Sequence, residues 1–410
     1  LYYRLKSHCA LVEGAARGAI YDFRSGKVLS INRGAIELLT ACQQMPLDTL
    51  LDLQDPEVRP YLSFLDALAR RNLGSYYALN PPAAAPQPEP VPAATLDFLW
   101  LELTSCCNNR CLHCYTASSP ALQQGCVPHE RWLSLIGEAR KQGATALQLI
   151  GGEPLLYPKW RELIVKAGEE AYDYIEIFTN ATLIDEDCIR FFKHHNLHLA
   201  TTIYAASADI HDRVTGNQGS FDKTLTAIKK ILAAEIPLRI ASILMKANET
   251  EAQNIVQLCR ELGLPDTVPD IIRPTGRGDD DGLLPQYYHR PPVRPPFYTD
   301  RDSFRLAHFS HSCLTGKIAI TADGDVLPCI FARDRIAGNI LNHPLQEVLS
   351  GAVLQETWNT TKDAIIKCRD CEYRYACSDC RPLAQSTDPD KSWYAPSPYC
   401  DYNPYTGQWK

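Results

Sequence analysis

The residues of this 410-residue chain most able to do chemistry are its sixteen cysteines, and they are unevenly placed. Three fall within the string Cys107-Asn-Asn-Arg-Cys111-Leu-His-Cys114. Three thiolates on one loop could hold three irons of a cuboidal iron–sulfur cluster, leaving the fourth iron open to a small-molecule chelate. With His113 or Cys106 as a fourth ligand, the same thiols could close a structural zinc site instead. Spacing leaves both readings open. A second group lies toward the C-terminus: Cys313, then Gly324-x4-Cys329, Cys368-x2-Cys371-x5-Cys377-x2-Cys380 and Cys400. Paired Cys-x2-Cys spacings suit zinc knuckles as well as clusters. Cys9, Cys42, Cys106, Cys126, Cys188 and Cys259 remain, and lone cysteines usually serve as small buried hydrophobes.

The elements that must position these residues follow from periodicity. From Leu96 to about Pro274, strand-like and helix-like segments alternate. The expected strands are 99–103, 146–150, 174–178, 197–203, 238–244 and 268–273, with amphipathic helices between them, such as 130–141, 221–233 and 249–262. Six β/α units in series predict a parallel α/β sheet with right-handed crossovers, either a partial barrel or a doubly wound sheet. Ahead of it, residues 1–79 predict a small α+β unit. Its strands are expected at 9–12, 19–23 and 27–31, and its helices at 33–42 and 57–73. Asn80 to Thr95 holds six prolines and five alanines in 16 residues, the composition of a semi-rigid spacer. The last hundred residues carry little periodicity and many cysteines, as where metal sites replace a large apolar core.

The string from Leu101 to Tyr115 resembles the radical S-adenosylmethionine superfamily, whose Cys-x3-Cys-x2-Cys signature lies in the loop after the first barrel strand. Gly151-Gly152-Glu153-Pro154 is similar to the family's segment that contacts the amino group of the cofactor. Thr179-Asn180-Ala181 stands where the family often has Thr-Asn-Gly, near the ribose. Tyr204 to Ser220 resembles the segment after the fourth strand, although Tyr204-Ala205-Ala206 replaces the Ser-Leu-Asp of many relatives. The resemblance implies a partial (β/α)6 TIM-like barrel with Cys107, Cys111 and Cys114 on the radical cluster. It places His113, Gly151, Gly152, Glu153, Pro154, Thr179, Asn180, Tyr204 and Arg213 around S-adenosylmethionine, with Arg213 near its carboxylate. It implies a 5′-deoxyadenosyl radical that abstracts a hydrogen atom from substrate. No general base is required for that step, and no catalytic side chain is assigned.

The C-terminal pattern resembles the SPASM domain of peptide-modifying radical enzymes, departing from it by x2 rather than x3 between Cys377 and Cys380. That likeness implies two auxiliary clusters, hence three [4Fe-4S] clusters in all. The outer one would be held by Cys368, Cys371, Cys377 and Cys400, the inner one by Cys313, Cys329 and Cys380. No cysteine lies between Cys313 and Cys329. The inner cluster is therefore expected to keep an open iron or to take His308 or His311. The front unit resembles, in pattern, the winged-helix-like peptide-recognition (RRE-like) element of ribosomal peptide biosynthesis, which binds a leader peptide by strand addition.

The expected organisation is thus a leader-binding domain over 1–79, a linker over 80–96, a radical barrel over 97–300 and an auxiliary-cluster domain over 301–410. The implied function is maturation of a ribosomally made precursor peptide, with thioether formation favoured among crosslinks. A sulfatase-type protein maturase, an epimerase, a splicease and a non-catalytic metal-stapled peptide binder are the alternatives. A flavodoxin or ferredoxin would supply electrons. Composition narrows the rest. A formal charge of −7 argues against nucleic acid as a partner, and residues 1–79 hold nine basic and eight acidic side chains. No apolar run approaches a membrane span and the first residues do not read as a signal peptide. Clustered thiols then point to a reducing cytoplasm.

Overall fold

The computed structural model describes residues 1–81 and 94–410. Most of the proline-rich spacer expected over 80–96 lies outside the described residues. The chain forms two compact units. One comprises residues 94–291 with 314–358, and the other comprises the front segment with 292–313 and 359–410.

The front unit begins with β1 (Tyr2–Leu5), followed by the antiparallel meander β2 (Cys9–Glu13), β3 (Arg17–Asp22) and β4 (Val28–Asn32). Asn32 ends β4 and starts α1 (Arg33–Gln44), its side-chain oxygen accepting the Ala35 amide at 2.9 Å. The short α2 (Leu47–Leu50) and α3 (Arg59–Arg70) lead to β5 (Gly74–Tyr77), which pairs antiparallel with β1. Side chains alternate across β3 and both faces are buried. Ile20 packs with Ile36 and Leu39 of α1 and Leu65 of α3, whereas Ala19 and Tyr21 pack with Phe297, Phe304, Tyr373 and Tyr402. The meander is therefore one wall of the cysteine-rich module of the same unit. The Tyr21 hydroxyl donates to Glu372 O at 2.8 Å, and the Val28 amide donates to Phe297 O at 3.2 Å.

The barrel unit is built from β6 (Phe98–Glu102), β7 (Ala146–Ile150), β8 (Tyr174–Phe178), β9 (His198–Thr202) and β10 (Leu238–Ala241), all parallel and adjacent in sequence order. A doubly wound sheet reverses direction from its first strand; this one winds one way, so the fold is the TIM-like partial barrel. The fifth strand continues past Ser242 as β11 (Ile243–Leu244), which pairs in parallel with β12 (Asp270–Ile271), the sixth. Outer helices α4 (His129–Lys141), α5 (Trp160–Glu169) and α6 (Glu186–His194) bury Trp132, Leu135, Leu163, Ile164 and Phe192 against Leu99, Leu147, Ile177 and Leu199. α7 (Ala208–Thr215), α8 (Ser220–Ala233) and α9 (Ala252–Glu261) complete the series. The segment expected to lack periodic structure contributes β13 (Lys317–Ile320), parallel to β6, and then β14 (Asp325–Leu327) and β15 (Gly338–Asn339), which extend the sheet antiparallel.

Candidate functional site

In the barrel unit, segments that follow β7, β8, β9 and the sixth strand converge on the cysteine loop. Gly152 donates its amide to Thr104 O at 2.7 Å and Glu153 to Cys106 O at 2.9 Å, which lays the Gly-Gly-Glu-Pro turn against the start of the cysteine loop. A Cβ on Gly152 would sit 2.1 Å from Cys106 O, and Gly151 has φ +139°, so neither position accepts a side chain. Glu153 is fully buried. Its carboxylate accepts the Thr179 hydroxyl at 2.7 Å, the Asn180 amide at 2.8 Å and the Leu155 amide at 3.0 Å, binding the loop after β7 to the loop after β8. Burial pushes its pKa up to about 7, against those three donors. Asn180 donates to Asn108 at 2.7 Å and lies 3.9 Å from the Cys107 sulfur. From the end of α7, which follows β9, Thr215 O and Val214 O accept the Arg110 and Leu112 amides. From the sixth strand, Arg277 donates to Cys111 O at 2.9 Å and Ser118 O at 2.8 Å.

Of the expected cofactor neighbours, His113 and Tyr204 are brought together, ring centroids 5.0 Å apart, and the Tyr204 phenol reaches the Cys111 thiol. Burial pushes the His113 imidazole down to about 4, and its Nε2 has no hydrogen-bond partner. Pro154 is buried and opens the turn that follows Glu153. Arg213 is exposed on α7 and takes no part in these contacts. Its neighbour Asp212 is instead a cap for α8, accepting the Gly219 and Phe221 amides at 2.6 and 2.8 Å. Sequence reasoning missed Asn108, Arg277 and a buried pair at the end of β6, where Arg333 donates to Glu102 at 2.6 Å. The signals were present as an isolated Glu closing an apolar strand and a Gly-Arg-Gly after the sixth strand.

Burial above all, with neighbouring charge adding to it, pushes both Cys107 and Cys111 up to about 12. Adjacent buried thiolates are stable only against compensating positive charge, which bound iron supplies. One zinc would draw its ligands to about 3.8 Å from one another, given bonds of ~2.3 Å. Among the described residues the loop thiols are not gathered to within 4.8 Å, and neither are the outer C-terminal ones.

In the other unit, Cys368, Cys371, Cys377 and Cys400 line one concavity, walled by Phe297, Tyr373, Tyr402 and Trp409. The four thiols expected on the outer cluster are thus assembled in an aromatic shell. Beside them, the Lys362 ammonium contacts the wholly buried Asp379 at 2.8 Å, and Arg381 also pairs with Asp379. The inner-cluster candidates divide between units: Cys313 and Cys380 belong to this one and Cys329 to the barrel unit. His311 has both ring nitrogens engaged, with Asp379 at 3.2 Å and the Cys313 amide at 3.1 Å. His308 donates from Nδ1 to Phe304 O at 2.8 Å and stacks on Tyr375. Of the lone cysteines, Cys42, Cys188 and Cys259 are buried as expected, Cys9 and Cys106 are half-buried, and Cys126 is exposed.

A parallel partial barrel whose strand ends converge on a three-cysteine loop, with a separate four-cysteine module, defines a class: an iron–sulfur enzyme that binds a small molecule at an incompletely ligated cluster. Residues 101–268 match the radical SAM superfamily and residues 313–381 the SPASM iron–sulfur cluster-binding domain. The chain is a radical SAM enzyme with a SPASM domain, using S-adenosylmethionine and iron–sulfur clusters. It is 28% identical over 337 residues to an AdoMet-dependent heme synthase of Methanosarcina barkeri, covering 74% of this chain and 95% of that one. It is 24% identical over 276 residues to the antilisterial bacteriocin subtilosin biosynthesis protein AlbA of Bacillus subtilis, covering 63% and 60%. The fold is similar to that of Streptococcus suis SuiB bound to S-adenosylmethionine, with a TM-score of 0.59 at 14% identity over 97% of this chain and 99% of the other. Among the described residues no helix is long and apolar enough to cross a membrane.

Proposed function

We propose that this enzyme matures a ribosomally synthesised precursor peptide, forming a thioether or another crosslink after hydrogen-atom abstraction. The observation that carries this reading is the front domain. An antiparallel meander with β2 as an edge strand is an architecture that receives a peptide by strand addition, whereas the start of β4 is already bridged to Tyr298. SuiB, whose fold is similar over 97% of this chain, has also been solved with its precursor peptide SuiA, and AlbA is named for bacteriocin biosynthesis. The heme synthase relative matches 74% of the chain.

In this reading Cys107, Cys111 and Cys114 hold the radical cluster. Gly151 to Pro154, Thr179, Asn180, His113 and Tyr204 shape the S-adenosylmethionine pocket, and Arg213, exposed on α7, would have to turn inward to meet the cofactor carboxylate. When bound, the cluster and S-adenosylmethionine supply one-electron reductive cleavage and the hydrogen-abstracting radical. The residues around them keep water out and hold the peptide carbon in line. Cys368, Cys371, Cys377 and Cys400, and Cys313, Cys329 and Cys380, would hold the two auxiliary clusters, which would supply an acceptor for the electron left after abstraction. An open iron on the inner one would bind the peptide thiolate. A flavodoxin or ferredoxin in the cytoplasm delivers the first electron.

The test is anaerobic incubation of the reconstituted full chain with S-adenosylmethionine, reductant and short peptides encoded beside its gene. Loss of two hydrogen masses per crosslink is expected. A Cys107/Cys111/Cys114→Ala variant should lose about four irons and all deoxyadenosine release. Deoxyadenosine release from the wild type with every such peptide unbound and unaltered would refute the peptide reading and favour a small-molecule substrate.

A further inference from the structure

Outside the cluster sites, His8, Cys9 and Asp22 place an imidazole nitrogen, a sulfur and a carboxylate oxygen within 4.8 Å of one another. The fold produces this convergence. Cys9 and Asp22 are direct cross-strand partners on β2 and β3, so their side chains leave the sheet on the same face. His8 is held at the mouth of the same hairpin by the Phe23 amide, which donates to His8 O at 2.9 Å. The His8 Nε2 is buried and has no hydrogen-bond partner. It stands 3.7 Å from Asp22 Oδ1, too far for a hydrogen bond. In a tetrahedral zinc site, bonds of about 2.0–2.1 Å to nitrogen and oxygen put those atoms roughly 3.3 Å apart, so a small closure would bring both onto one ion. The Asp22 carboxylate is already oriented, accepting the Arg24 amide at 3.1 Å and the Ser25 hydroxyl at 2.6 Å, the kind of outer support that metal-binding carboxylates carry.

We propose that His8, Cys9 and Asp22 form a zinc site at the open end of the β2–β3 hairpin. One soft sulfur with one imidazole and one carboxylate is a donor set suited to zinc rather than magnesium or calcium. Three protein ligands leave a fourth position for water or an incoming donor. The ion would tie the start of β2 to the end of β3, next to the point where Arg301 reaches the Ser7 carbonyl at 2.6 Å, and so fix the hairpin of the front unit. The inference is independent of what the enzyme modifies.

The experiment uses the reconstituted full chain, equilibrated with one equivalent of Zn²⁺ and desalted. Metal analysis should find one zinc per chain beyond the iron. X-ray absorption at the zinc edge, which iron does not obscure, should give one sulfur at about 2.3 Å with nitrogen and oxygen ligands. Asp22→Asn and His8→Ala should each lose the zinc while keeping the iron and the cluster resonances. Absence of retained zinc in the wild type overturns the proposal. So does a zinc shell with two or more sulfurs, which would place the ion among vacant cluster cysteines. Retention of zinc by both variants overturns it as well.

Discussion

Replacing Glu153 by Gln isolates the buried carboxylate that joins the loops after β7 and β8. Glu and Gln have the same shape, so no cavity opens; the titrating group goes, together with one acceptor oxygen whose loss is the same at every pH. Burial raises the folded pKa of Glu153 to about 7 from the ordinary 4.5. The folded state therefore holds the proton more tightly than the unfolded one. The corresponding stability is fully present below the unfolded value and is lost as pH rises through about 7. At roughly 1.4 kcal/mol per unit, the part lost between pH 5.5 and 8 is about 2 kcal/mol. For a domain of this size that corresponds to a Tm difference of about 4–8 °C. The assay is the melting temperature of the anaerobic protein across that range for wild type and Glu153→Gln. Other titrating groups act equally in both proteins and cancel in the difference. The wild-type curve should fall relative to the variant as pH rises. Parallel curves would refute the reasoning and mean that Thr179, Asn180 and Leu155 hold the carboxylate ionised throughout.

The remaining predictions concern the supports of the clusters. Gly276 has φ +61°, and a Cβ there would meet Tyr115 O at 2.4 Å and Cys114 O at 2.6 Å, so Gly276→Ala should lose about four irons from the radical cluster. Gly263→Ala, also left-handed at φ +74° but with nothing within 4 Å, should cost about 1–2 kcal/mol and keep its iron; equal iron loss in both would remove the steric argument. Lys362→Met strips one cation from the side of the outer cysteine set and from the buried Asp379, which keeps Arg381, so the fold should be destabilised by less than the ~3–5 kcal/mol of a buried charge left unpaired. If the four outer cysteines hold a cluster, the same change should lower its midpoint potential in an electron paramagnetic resonance titration, whereas an unmoved potential would mean that the cluster does not feel the lysine.

The sequence by itself determined the strands whose signals are local. Ala146–Ile150 and Tyr174–Phe178 are where short apolar runs end at turn residues, and they fold as expected to the residue. It also determined that Cys107, Cys111 and Cys114 share a loop and that Cys368, Cys371, Cys377 and Cys400 are metal-ligand candidates, because thiol spacing is itself the geometric constraint. Tertiary structure decided what depends on pairing between distant residues. The choice of partial barrel over doubly wound sheet rests on strand order, which no period of hydrophobicity encodes. β1 finds its partner more than seventy residues later in β5, and β13 joins β6 from the far side of the barrel's helices, so each is too short to read until its neighbour is known. The same holds for chemistry. Arg277 touches the cysteine loop and Arg333 meets Glu102 only because folded strands bring separate loops to one end of the barrel. Cys9 reads alone as a small buried apolar residue; the hairpin register sets it opposite Asp22, beside an imidazole with no other partner. Local spacing selects which residues can bind a metal, and long-range register decides which of them meet.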